Sequence, residues 1–260
     1  MGRTDATVRV RVLGQTMIAA AGVPVMLSRP LERALLVRLA LENGRAVRET
    51  TLAMDLWSDA DDSTVGRRLR VHASRLRNSL GPWAKLLVHA SGGGYRFLSC
   101  EVSDLAQAQR LTVEARSAAR EQRHQAALDS ATAALAQWRG PAMDDLVRIP
   151  FVGATVVGIE EWRLELAMLR MNALLHLGAA EMLVTELTGM AAQHPLNERI
   201  QMLLAHALYC SGRQVEALHR LRRLRQSLVD TAGLDLTPQT VLLETRILRH
   251  DPTLQPQSVA

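Results

Sequence analysis

The sequence predicts a mainly α protein with a small β component, in which a mixed N-terminal module precedes an all-α one. Three observations carry this. Period-two strand signals are confined to residues 1–100. From about Ser103 onward, long Ala/Leu-rich helical patterns replace them. Within those patterns a set of apolar positions recurs at a fixed spacing. The reading is therefore one domain over residues 1–100, a second over 103–253, and a polar, Pro-containing flexible tail over 254–260.

Val8-Arg9-Val10-Arg11-Val12 alternates apolar and basic side chains, as a half-buried strand does. Gly14 and Gly22-Val23-Pro24 are turn signals, and Val25-Met26-Leu27 reads as another short strand, so a small antiparallel sheet is expected. Pro30 suits the first turn of a helix with Leu31, Ala34, Leu35 and Leu39 at helical spacing, ended by Asn43-Gly44. A second helix runs from about Thr50 to Trp57. The acidic segment 58–62 reads as a turn, with Asp62 or Ser63 capping a third helix that Gly81-Pro82 stops near Leu80. Lys85–His89 and Tyr95–Leu98, joined through Ser91-Gly92-Gly93-Gly94, form a hairpin pattern.

In the second half Leu169, Ala173, Leu174, Gly178 and Leu187 recur as Leu203, Ala207, Leu208, Gly212 and Leu221, each 34 residues later. That is the tetratricopeptide period, one helical hairpin per repeat. Each hairpin must stack on its neighbour to bury its apolar face, and the glycine permits the tight turn. Leu234-Asp235-Leu236-Thr237-Pro238 precedes a last helix.

Composition narrows the function classes. With 48% hydrophobic and 22% charged residues in 260, the chain has enough apolar content for real cores, which excludes a disordered chain. No uninterrupted apolar run reaches the ~18 residues of a membrane span, and the N-terminus lacks a signal-peptide core, so a cytoplasmic protein without membrane partners is expected. Cys100 and Cys210 are too few for a disulfide scaffold or thiolate zinc site and read as small core residues. Residues 1–100 hold 15 Lys and Arg against 8 Asp and Glu, whereas residues 101–260 hold 16 against 18. The basic excess thus belongs to the N-terminal module, and a polyanion is its natural partner. Lys85 is the one lysine, and arginine suits bidentate phosphate and guanine contacts.

On a helical wheel the third helix places Val65, Leu69, Ala73, Leu76 and Leu80 on one line toward the core. Arg67, Val71, Ser74 and Asn78 lie opposite, flanked by Arg68 and Arg75 on one edge and Arg70 and Arg77 on the other. Five arginines without interleaved acids repel one another unless an anion relieves them. Three helices ending in a long basic one, then a hairpin, is the layout of a winged helix-turn-helix, whose last helix enters the major groove of DNA. The flanking arginines then reach phosphates, and Val71 and Ser74 touch base edges. Arg96, on the strand leaving the hairpin tip, faces solvent or phosphate. The Gly92-Gly93-Gly94 tip is a DNA-contacting wing or a flexible turn only.

Arg70-Val71-His72-Ala73-Ser74-Arg75-Leu76-Arg77, followed by Gly94-Tyr95-Arg96-Phe97 and preceded by Leu56-Trp57, resembles the OmpR-type winged-helix signature. Trp138-Arg139-Gly140-Pro141, the segment 194–199, the segment 207–218, the segment 233–238 and the closing 247–252 look like the bacterial transcriptional activation domain. In this order the two halves resemble the Streptomyces antibiotic regulatory protein family over nearly the whole chain. The resemblance implies a transcriptional activator that binds direct repeats beside a promoter, two copies side by side as a dimer on DNA, and recruits RNA polymerase holoenzyme for a secondary-metabolite gene cluster. It maps groove contacts to Arg67, Arg68, Val71, His72, Arg75 and Arg77, and phosphate contacts to Thr50 and Trp57. His72 is equally well read as a packing residue on the helix flank. Ser91 stands where the family has a wing arginine, Gly92-Gly93 where it has prolines, and Leu31 where it commonly has lysine.

No nucleophile elbow, His-Glu-x-x-His pair or phosphate-binding loop is present, so no enzyme, metal or cofactor is expected. The doublets Asp144-Asp145 and Glu160-Glu161 read as solvated. A competing reading is a helical-repeat scaffold that binds a partner or senses a ligand, with weak DNA binding. Its basic segment holds Arg213, Arg220, Arg222, Arg223 and Arg225, and the simpler account is a solvated face with Glu216 paired to Arg220.

Overall fold

The computed structural model describes residues 7–58 and 62–255. The expected acidic turn over 59–61, the side chains of the two candidate caps Asp62 and Ser63, and the tail from 256 lie outside the described residues, as does the extreme N-terminus. The chain forms two compact units. The first gathers the chain up to Arg110 with Ala133–Arg163; the second holds Leu111–Thr132 and the chain from Leu164 on.

The first unit opens with β1 (Val8–Arg11), β2 (Met17–Ala20) and β3 (Val23–Pro24). Helices α1 (Pro30–Leu41), α2 (Glu49–Trp57) and α3 (Asp62–Leu80) follow, then a 3-10 turn at Gly81–Leu86. Strands β4 (Leu87–His89) and β5 (Tyr95–Phe97) pair as the expected hairpin, and β6 (Cys100–Val102) returns to the first sheet. That sheet runs β3-β2-β1-β6, with β1 antiparallel to β2 and parallel to β6. This is a winged helix-turn-helix preceded by a mixed sheet.

Two strand expectations needed correction. The segment Val25-Met26-Leu27 is not a strand; Met26 is exposed, and the pairing strand is β2. Its alternation is real, with Ile18 and Ala20 buried between Met17 and Ala19, but every residue is apolar, so no period shows in the sequence. The sheet is also not purely antiparallel. β6 aligns Cys100 with Val8 and Val102 with Val10, and three residues are too few to reveal a period.

Asp104 ties this sheet to the rest of the unit. It stands at the start of α4 (Ser103–Arg120), and its fully buried carboxylate accepts from the Val12 amide at 2.9 and 3.0 Å and from the Leu13 amide at 2.8 Å. Arg139 adds an ion pair at 3.3 Å. The segment after α5 (His124–Leu135) then runs along the β1–β2 turn: the Arg139 amide donates to Leu13 O at 2.8 Å and the Met143 amide to Val12 O at 2.9 Å. Gly14 adopts φ +137°, a backbone conformation that side chains rarely take, and a Cβ there would also stand 3.1 Å from that of Arg139. Asp145 is not solvated as expected. It accepts from the Thr16 amide at 2.7 Å and pairs with Arg33 at 2.9 Å. Glu160 likewise is engaged, by Arg163 at 3.4 Å. These attachments explain why residues 133–163 belong to the first unit.

In the second unit Arg170, near the end of α6 (Pro150–His176), pairs with Glu186 of α7 (Ala180–Gln193) at 2.6 Å, α7 packs on α8 (Glu198–Cys210), and α8 on α9 (Gln214–Ala232). The 34-residue repeat reappears as geometry. Gly178 and Gly212 adopt φ of +85° and +76°, and the next amides, Ala179 and Arg213, bond back to the carbonyls of Leu174 and Leu208 at 3.0 and 2.8 Å. Ala173, Leu187, Ala207 and Leu221 are buried. α10 (Pro238–Leu248) starts at the expected proline.

Residue 254 is not part of a free tail. Leu254 closes a 3-10 turn at Pro252–Leu254 and is buried among the repeat residues. Glu216 pairs with Arg213 at 2.7 Å rather than with Arg220, while Arg225 is held by Asp235 and Glu244. Burial pushes the Cys100 thiol up to about 12 and that of Cys210 to about 11, as inert packing residues require. No described helix is long and apolar enough to cross a membrane.

Asp104→Ala leaves the buried Val12 and Leu13 amides without an acceptor. Urea denaturation is expected to show a loss of about 2 kcal/mol or more, with fluorescence following the first unit.

Candidate nucleic-acid interface

The apolar line of α3 is buried as its spacing demands: Val65, Leu69, Ala73, Leu76 and Leu80 are each at most 5% exposed. They pack over α1 and α2, which Arg38 fastens together by pairing with Asp55 and Glu42, both at 2.6 Å. A helix held along one line leaves the remaining faces to solvent. Arg67, Arg68, Arg70, Val71, Ser74, Arg75 and Asn78 are all exposed. Among the described residues none of the five arginines of α3 forms an ion pair, and Arg67 and Arg75 have no partner of any kind.

The other three are differently placed. Arg68 lies over the Trp57 ring, 4.5 Å from its centroid, a cation–π contact that leaves the guanidinium at the surface. Arg70 donates to Gly66 O of its own helix at 3.0 Å. Arg77 is half-buried. It donates to the Leu87 carbonyl at 3.1 and 3.3 Å and lies 5.8 Å from the Tyr95 ring centroid, joining α3 to the hairpin.

His72 packs on Trp57. Its ring lies 5.6 Å from that of Trp57, with Nδ1 buried and unbonded. Desolvation lowers its pKa, and Arg75 and Arg68 lower it further, so the ring is neutral near pH 7. Trp57 thus sits half-buried between Arg68 and His72 at the end of α2, while Thr50 is exposed in its first turn.

The hairpin tip is more than a flexible turn. Ala90 N bonds to Gly94 O and Gly93 N to Ala90 O, each at 3.0 Å. Gly94, at φ +102°, is pressed against the chain before α2, where a Cβ would fall 2.0 Å from Val47 O. Reciprocal bonds between Val47 and Tyr95, at 2.8 and 2.9 Å, fix this contact. Ser91 and Gly92 remain exposed, and Arg96 points outward from β5 opposite Val88. The same contact brings in Arg48, which the sequence reading passed over. It is exposed at the N-cap of α2, its Cα 2.8 Å from where a Gly94 Cβ would stand. The signal was present in the arginine excess just before the second helix, but linking it to the hairpin required the Val47–Tyr95 bridge.

Geometry and charge therefore describe a basic helix framed by a fixed hairpin, and comparison with known proteins decides the family. The bacterial transcriptional activator domain model matches residues 103–248, and the model for the C-terminal domain of transcriptional regulatory proteins matches residues 24–97. The chain belongs to the Streptomyces antibiotic regulatory protein family. Both matched models describe domains of transcriptional regulatory proteins. It is 38% identical to the regulatory protein AfsR of Streptomyces coelicolor over 97% of its length, although it spans only 25% of that relative. It is 30% identical to DnrI of Streptomyces peucetius, covering 82% of each chain. A solved structure of Mycobacterium tuberculosis EmbR in complex with a low-affinity phosphopeptide matches with a TM-score of 0.82 at 30% identity, over 96% of this chain and 66% of that one.

Two variants separate scaffold from interface. Arg77→Ala is expected to lower stability by about 1–2 kcal/mol in urea titration through loss of the Leu87 bonds, whereas Arg75→Ala stays within about 0.5 kcal/mol of the parent. Gly94→Ala, which combines a left-handed backbone with a collision at Val47 O, is expected to lower the thermal midpoint by several degrees or about 2 kcal/mol in differential scanning calorimetry.

Proposed function

We propose that this chain activates transcription by seating α3 in the major groove at direct repeats beside a promoter. The observation that carries the reading is the pair of unpartnered guanidiniums, Arg67 and Arg75, standing on either side of Val71 and Ser74 on the exposed face of α3. An uncompensated cationic face on a helix anchored along one line is stabilised by an anion of matching length, and the DNA backbone supplies one on both walls of the groove. Arg67, Arg68 and Arg75 contact phosphate or guanine edges, Arg70 joins them by releasing its bond to Gly66, and Val71 and Ser74 read base edges. Thr50 and Arg48 at the start of α2 reach the flanking backbone, with Arg96 and the Ser91-Gly92 tip on the adjacent groove. Trp57, His72 and Arg77 act by holding the others in place.

Two copies side by side on tandem sites form a dimer on DNA, and the helical domain contributes contacts to RNA polymerase holoenzyme. The similarity to AfsR and DnrI, and the family's association with antibiotic regulation, support a secondary-metabolite gene cluster as the target.

The test is fluorescence anisotropy with the native upstream duplex and a shuffled duplex across a salt series. Preference for the native duplex is expected, with affinity falling steeply as salt rises. The double variant Arg67→Ala, Arg75→Ala should bind about tenfold or more weakly with a shallower salt slope, while its stability is unchanged. Equal binding to both duplexes, or full retention of affinity in the double variant, would overturn the assignment.

A further inference from the structure

The second unit contains a cavity of about 510 Å³ between α6, α8, α10 and the Pro252–Leu254 turn. Its size is within the roughly 300–1,000 Å³ typical of small-molecule sites. Apolar surface comes from Leu169 of α6, Met202 and Leu203 of α8, and Leu243 of α10. Leu169 and Leu203 are equivalent positions of the 34-residue repeat, yet both are only half-buried. They line the cavity while their repeat companions Ala173 and Ala207 are buried.

The ionisable groups on the wall are all basic. Arg199, Arg246, His176 and His206 line the cavity, and no carboxylate does. Arg246 is already answered by Asp251 at 2.8 Å. Burial lowers the pKa of both His176 and His206, so each is neutral near pH 7, and His206 Nε2 is 2.8 Å from the Leu254 carbonyl. Arg199, exposed in the first turn of α8, has no ion-pair partner among the described residues. The neighbouring Glu198 is occupied by the hydroxyls of Thr237 and Thr240 at 2.8 and 2.6 Å. The wall thus offers one uncompensated positive charge beside an apolar surface.

We propose that this cavity binds a small apolar molecule carrying a single carboxylate, its body on Leu169, Leu203 and Leu243 and its anionic end on Arg199. A neutral ligand leaves the Arg199 charge unanswered, and a dianion finds no second free cation because Arg246 is paired. Charge-assisted bonding to a guanidinium at the first turn of a helix, where the peptide dipoles also favour an anion, selects the carboxylate. The Leu254 wall is held by His206 and by the Cys210 Sγ, which donates to the same carbonyl at 3.1 Å, so the cavity is bounded by fixed groups rather than by loose chain.

The test is isothermal titration calorimetry of the full chain with decanoate below its micellar range, with decanol and decyltrimethylammonium as neutral and cationic chains of equal length. One saturable site for decanoate is expected, with decanol weaker by about tenfold and the cation not bound. Arg199→Ala should weaken decanoate about tenfold and abolish its advantage over decanol. Leu203→Trp, which fills the cavity, should remove binding; if that variant does not fold, the exposed Arg199→Ala substitution carries the test. Absence of saturable decanoate binding, equal binding of the three chains, or an unchanged affinity in Arg199→Ala would overturn the proposal. None of these readings depends on DNA binding.

Discussion

A single buried carboxylate organises the first unit. Asp104 accepts from two consecutive amides of the chain leaving β1 and pairs with Arg139. A charge with no solvent contact is tolerable only when hydrogen bonds and a counterion replace its water, and here both are supplied by segments far apart in sequence. The consequence is architectural. β6 lies parallel beside β1, α4 begins where Asp104 must stand, and the stretch containing Arg139, Met143 and Asp145 is drawn along the β1–β2 turn.

That frame in turn determines what the basic helix presents. Because α3 is buried along one narrow line, its charge is displayed on a broad face, and the arginines divide by what surrounds them. Arg77 serves the hairpin, Arg68 covers Trp57, and Arg67 and Arg75 have no partner among the described residues. Like charges brought together on a rigid element are a cost to the free protein that an anionic partner removes. Placing the hairpin beside the start of α2 requires Gly94, since no side chain fits between it and Val47.

Much of this was legible in the sequence, for identifiable reasons. The apolar line of α3 and its arginine face follow from helical period, and the 34-residue repeat announced both tight turns through Gly178 and Gly212. The last helix was marked by Pro238. What escaped were features without local periodicity. β2 hid its alternation among apolar residues, and β6 was three residues long. Asp145 looked like one half of an exposed doublet because nothing in a sequence reveals that Thr16 and Arg33 lie beside it. In the site, the ring contact between His72 and Trp57 has no local signature, and Arg48 gained meaning only from the backbone bridge between Val47 and Tyr95.

The Asp104 contacts also impose an order on assembly. Val12 and its acceptor are 92 residues apart, and the Arg139 and Asp145 attachments lie farther still. As the chain is synthesised, β1 and β2 emerge as a hairpin whose second neighbour and buried counter-charge have not yet been made. Closing such long loops is slow relative to forming local helices. Helices α1, α2 and α3 can therefore form early, while the sheet stays open to water along one edge until the ribosome has delivered the sequence through Asp145.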